Sequence, residues 1–279
     1  MSEPSPHRSL AARSRSVLRI GLALALLFLL SLSPSVAQTV GAPPGDWVLT
    51  RHTVGLIAAA DPALAERFFA TPQTSVLGGW GGAVPAVSWP SYSSFAAAVA
   101  TGAIPAGTGA VMYDPEGWAA TPRWEREDPA EYMKAFSELA HSLGYAVILT
   151  PHPNLTTEPG AVCPIHGGES MEDAYLRCRI PAIAARFADT LDIQAQFLET
   201  DPARYAEVVR IATQQARAVN PDIVVVSHLS TPFAPTPTVL FSAWSAVQDI
   251  VDGHYLSVPD ASRADVALGF LRMVDGRSA

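Results

Sequence analysis

Two carboxylates stand two residues apart in the run Tyr113-Asp114-Pro115-Glu116-Gly117-Trp118, with an aromatic residue at each end. That set of groups suits a sugar. Aromatic faces pack against the C–H surface of a pyranose, carboxylates bind its hydroxyls, and a carboxylic acid of raised pKa protonates a glycosidic oxygen. Glu116 is the candidate general acid, with Asp114 or Glu199 as its partner. A partner at about 5 to 5.5 Å would make the reaction retaining, and one at about 6.5 to 9.5 Å inverting. Outside a strand end, Asp114 would read as a turn residue before Pro115 and Glu116 as a solvated loop carboxylate.

What must position these groups is a series of short strands, because short apolar runs alternate with longer amphipathic segments along the chain. Asp128 and Pro129 open a predicted helix with Tyr132, Phe136, Leu139, Ala140 and Leu143 on one face, closed by Gly144 and followed by a strand over 146–150. Asp201 and Pro202 open another, with Tyr205, Val208, Val209, Ala212 and Ala216 inward, before a strand over 223–227. Thr236 and Pro237 open a third, before a strand over 255–258. Earlier come strands over 84–89 and 109–114, a helix over 91–101, and a first strand over 46–49 or 54–58. With a strand over 191–198 the count is about seven, and a (β/α)₈ barrel is the expected fold, one strand short or irregular. A doubly wound open sheet is the alternative.

In either fold the reactive residues gather where strands end. Tyr113 and Trp118 flank the carboxylates, His152 and Asn154 follow the strand at 146–150, His228 follows the one at 223–227, and Tyr255 lies on the last. Along 191–198, Leu191, Ile193, Ala195 and Phe197 share one face while Asp192, Gln194 and Gln196 share the other, so a polar row points inward. Buried amides need hydrogen-bond partners, from a network or from a ligand. All of these are candidate ligand contacts.

The runs VMYDPEGWAATP and DIQAQFLETDPARY resemble uncharacterised secreted bacterial proteins with glycoside-hydrolase-like barrels, over residues 75–260. The resemblance implies a carbohydrate site; no cofactor is expected. Two further readings stay open. Asp114, Glu116, His152 and His228 are of types that hold Zn²⁺ or Mn²⁺ in a phosphoesterase or amidohydrolase-like enzyme, although no H-x-H or H-E-x-x-H run is present. A secreted carbohydrate-binding protein without a productive acid and base is the other. A serine hydrolase lacks its G-x-S-x-G elbow, and the glycines at 78, 79, 81 and 82 around Trp80 lack the lysine of a phosphate loop.

The N-terminus reads as an export signal. Arg8, Arg13, Arg15 and Arg19 precede an apolar stretch over 20–32 that is too short for a stable membrane anchor, and Ser35, Val36 and Ala37 suit cleavage before Gln38. Residues 38–279 are then expected to form a single barrel domain. Net charge is −8, which speaks against nucleic acid as a partner; the oligomeric state stays open. Cys163 and Cys178, the two cysteines of the chain, are expected to pair in an oxidising compartment.

Overall fold

A computed structural model describes residues 46–278; the export signal expected over 1–37 lies outside the described residues. The chain begins with β1 (Asp46–Thr50), α1 (Arg51–Ala60) and α2 (Pro62–Phe69). Then come β2 (Ser75–Leu77), β3 (Val84–Trp89) and α3 (Tyr92–Thr101). β4 (Ala110–Tyr113) leads through α4 (Arg123–Glu127) into α5 (Pro129–Ser142). β5 (Ala146–Leu149) leads through α6 (Met171–Arg177) into α7 (Ile180–Ala185). β6 (Thr190–Ile193) and α8 (Pro202–Arg217) are followed by β7 (Val224–Ser230) and α9 (Pro237–Val247). β8 (Gly253–Ser257) and α10 (Ala264–Ser278) end the barrel.

All eight strands are parallel and close into a barrel in chain order, with β8 pairing back onto β1. Closure rules out the open sheet. Helix starts follow local chemistry: the side chains of Asp128, Asp201 and Thr236 accept from the amides of Glu131, Arg204 and Val239, each ahead of a proline in the first turn. Leu143, expected inward, is exposed because α5 ends at Ser142.

The strand missing from the sequence count is β2. It is three residues long, and no helix follows it before β3, although parallel neighbours normally need a crossover of about a dozen residues. Residues 78–83 make the return instead, with Gly78, Gly79 and Gly81 at φ +94°, +72° and +51°, conformations that a side chain disfavours. The other shifts are local. The first strand is at 46–50, and residues 54–58 lie inside α1, burying Val54 and Ile57 at helical spacing. The strand expected over 191–198 stops at Ile193, and Gln196–Leu198 is a 3₁₀ turn.

Two cores result from the alternation of side chains along each strand. Outward residues such as Trp47, Val111, Tyr113, Leu191 and Leu256 pack against the helices. Inward residues Val48, Ala86, Ala110, Met112, Ile148, Val226 and Tyr255 fill the barrel. Gly253 lets β8 pass the start of β1, since a Cβ there would collide with the Asp46 backbone. Cys163 and Cys178 are bonded, with Cα atoms 5.8 Å apart, within the connection from β5 to β6. The bond fits an oxidising compartment. Among the described residues, no helix is long and apolar enough to cross a membrane.

Candidate active site at the barrel mouth

Inward residues at the strand ends, together with Glu116 in the β4 loop and Gln196 in the turn after β6, line the barrel mouth. On β4 the inward residues are Met112 and then Asp114 and Glu116; on β5, Thr150; beyond β6, Gln194 and Gln196; on β7, His228 and Ser230; on β8, Tyr255 and Ser257. These ten residues enclose a cleft of about 250 Å³, at the strand ends where barrel enzymes place their chemistry.

Below and across the cleft runs one hydrogen-bonded network. Gln196 Nε2 donates to Gln194 Oε1 at 3.2 Å. Gln194 Nε2 in turn lies 2.8 Å from both Thr150 O and Oγ1 and 3.1 Å from Asp114 Oδ1. Thr150 Oγ1 donates to Asp192 Oδ2 at 3.1 Å, and His228 Nδ1 meets the same oxygen at 3.0 Å. Tyr255 stacks on the His228 ring with centroids 4.2 Å apart, and Tyr205 Oη donates to the His228 carbonyl at 2.8 Å. Gln196 Oε1 and Asp192 Oδ1 take no hydrogen bond from the protein. The inward polar row of β6 is therefore partly a satisfied network and partly open acceptors.

Burial, reinforced by the charges of Glu116 and Asp192, pushes the Asp114 carboxyl up to about 8, which favours its protonated form. Burial also raises Glu116, against the opposing pull of His228 and Gln194. One strand end thus carries two carboxyls, both shifted toward the protonated form.

The β4 loop that carries Glu116 is braced from several sides. Thr121 is fully buried; its hydroxyl donates to Pro90 O at 2.7 Å and accepts from Trp118 Nε1 at 2.9 Å. Gly117 N donates to Asn154 Oδ1 at 2.9 Å, and Arg126 pairs with Glu158 at 2.8 Å. Loops after β4 and β5 are thereby tied together.

Of the expected residues, Asp114, Glu116, Gln194, Gln196, His228 and Tyr255 meet in the cleft, and the others do not. Tyr113 has the opposite parity to Asp114: it is fully buried, stacks on Phe136 at 4.9 Å and donates to Glu125 Oε2 at 2.9 Å. Glu199 is also fully buried and accepts from the Ser230 amide; burial pushes it up to about 9. His152 turns into its own loop, where Nδ1 accepts from Asn154 N at 3.0 Å, and burial lowers it to about 4. Asn154 is the loop brace just described. Trp118 is 43% exposed on the rim.

Asp192 keeps the inward place expected for it, as the buried base of the network; Thr150, Ser230 and Ser257 were not expected, yet each follows from period-two counting once the strand ends are placed. Among the described residues, no three His, Cys, Asp or Glu side chains are grouped to hold a metal ion. Of the set Asp114, Glu116, His152 and His228, His152 does not line the cleft; its Nδ1 is taken by Asn154 N and its ring packs on Phe197.

No family model matches the chain, and no curated protein matches it. Solved structures do. A triosephosphate isomerase from Bartonella henselae is 11% identical, with 84% of this chain and 99% of that one covered at a TM-score of 0.47. A Schiff-base-forming fructose-1,6-bisphosphate aldolase is 16% identical, with 84% and 94% covered at 0.45. An active-site mutant of Rhizomucor miehei β-1,3-glucanosyltransferase, in complex with laminaritriose, is 13% identical, with 75% and 74% covered at 0.35.

Proposed function

We propose that the barrel mouth is a carbohydrate site and that Glu116 is the general acid in hydrolysis of a glycosidic bond, in a protein exported from the cell. The observation that carries this reading is the position of Glu116. It stands at the lip of a polar cleft, on a braced loop, with burial favouring the protonated carboxyl that an acid catalyst needs. Around it, the Gln196 carbonyl, the Asp114 carboxyl and the Ser230 and Ser257 hydroxyls supply the mixed donors and acceptors that sugar hydroxyls require. Tyr255 and Met112 supply an apolar floor. Export rests on the arginine-led N-terminus together with the disulfide.

The test is turnover by residues 38–279 on a panel of cell-envelope and plant polysaccharides, with and without a chelator, beside Glu116→Gln. Sugar release that survives the chelator and falls by about 100-fold or more in the variant supports the reading. Glycan binding without release in the wild-type protein would make it a carbohydrate-binding barrel instead, and release lost only to the chelator would return the metal-dependent hydrolase.

A further inference from the structure

An acid alone does not hydrolyse a glycoside; a second group must attack the anomeric carbon or activate the water that does. The carboxylates near Glu116 are each unsuited to that role. Asp114 lies two residues back on the same strand end and the same face, so it approaches a substrate from the side that Glu116 already occupies. Glu199 does not line the cleft. Glu125 is buried beneath Tyr113, accepting from the Tyr92 and Ser93 amides, the Ser93 hydroxyl and Tyr113. Asp192 is fully buried at the cleft floor, with one oxygen held by Thr150 and His228.

His228 remains. Its strand, β7, is three places on from β4 around the closed barrel, and His228 and Glu116 both line the cleft. Its Nδ1 is engaged by Asp192, which leaves Nε2 as the nitrogen free to act in the cleft. Stacking on Tyr255 fixes the plane of the ring, and Tyr205 holds its backbone carbonyl. A carboxylate that orients an imidazole through one nitrogen selects the tautomer whose other nitrogen can accept a proton.

Resting on the glycoside-hydrolase reading of the cleft, we propose that His228, oriented by Asp192, is the base that activates the attacking water, and that the reaction inverts the anomeric carbon. Nε2 takes a proton from water as its oxygen bonds to the anomeric carbon. Glu116 gives its proton to the departing glycosidic oxygen as that bond breaks. His228 then releases a proton to solvent and Glu116 regains one. Water enters and the leaving group exits on opposite sides, which is inversion.

The experiment uses residues 38–279 and paired methyl and dinitrophenyl pyranosides. A dinitrophenolate leaves without needing a proton, so Glu116→Gln should lose far more rate on the methyl glycoside than on its dinitrophenyl partner. His228→Gln and Asp192→Asn should lose about 100-fold on both, with thermal unfolding unchanged enough to show intact folds, and the first product seen by ¹H NMR should have inverted configuration. Independently of any substrate, ¹⁵N NMR should find a proton on His228 Nδ1, held toward Asp192. A retained product, a ring whose Nδ1 carries no proton, or activity that needs Glu116 but survives His228→Gln overturns the base assignment alone. Absence of turnover in the wild-type chain overturns the hydrolase reading and the role of His228 with it.

Discussion

At the scale of single residues, parity along β4 decides which members of one short run do chemistry. Tyr113, Asp114 and Glu116 look equivalent as polar groups near a strand end. Period two sends the tyrosine to the helix layer and both carboxylates to the mouth. Tyr113→Phe should therefore leave cleft chemistry intact while removing one donor from the buried Glu125 carboxylate, at a cost of about 1 to 3 kcal/mol. Urea unfolding beside ligand-binding or rate measurements would separate the two effects, and a changed cleft with unchanged stability would contradict the assignment. The alkaline side of any rate profile is set by Glu116: its carboxyl is raised, the acid form is the active one, and the rate should fall as pH rises through its titration. Glu116→Gln should remove that limb.

At the scale of elements, glycines do what no side-chain residue can do at two junctions. Gly253 sits where the last strand closes against the first, and Gly253→Ala should destabilise by about 3 kcal/mol or more, because the colliding atoms are backbone and have nowhere to move. Chemical denaturation reads this directly; a variant of native stability would show that the β1–β8 seam lies elsewhere. The turn over 78–83 explains why β2 escaped notice in the sequence. A three-residue strand without a following helix carries too little periodicity to register. The cysteine pair acts on the long β5–β6 connection: closing 15 residues contributes roughly 3 kcal/mol in the chain-entropy model. Replacing both cysteines by alanine should lower the unfolding temperature and open residues 158–178 to proteolysis before the barrel strands.

For the molecule as a whole, the buried titratable groups shape stability against pH. Asp114 and Glu199 hold protons up to about 8 and about 9 in the folded state, against ordinary values of 3.8 and 4.5. Above those ordinary values the unfolded chain has released protons that the folded chain keeps, so these groups make stability fall with rising pH until their folded pKa values are passed. His152 and His254 are lowered to about 4 and about 3 from 6.5, each chiefly by burial. Their sign is opposite: below 6.5 the unfolded chain gains protons first, and stability falls with acidification. From these four groups the slopes cancel between about pH 4.5 and 6.5, leaving a plateau, with a decline of up to about 1.4 kcal/mol per pH unit for each uncompensated group on either side. Unfolding free energies measured from pH 4 to 9 should show that shape, and Asp114→Asn with Glu199→Gln should flatten the alkaline decline; an unchanged slope would count against buried protonated carboxyls.

Local chemistry wrote much of this into the chain. Capping aspartates ahead of prolines, helical stripes on α8 and α9, and apolar runs between them specify repeated strand–helix units, because each signal acts within a few residues. Asp114, Glu116, Gln194, Gln196, His228 and Tyr255 were legible as site candidates for the same reason, since each stands on or just beyond a short apolar or alternating run, although β6 itself ends at Ile193. Closure to eight strands, the pairing of Asp192 with His228 across two strands, and the withdrawal of Tyr113, His152 and Glu199 from the cleft were decided only by the tertiary structure. Those outcomes depend on which side chains meet across the barrel and on how much water each one loses, and both are set by contacts between residues far apart in the chain.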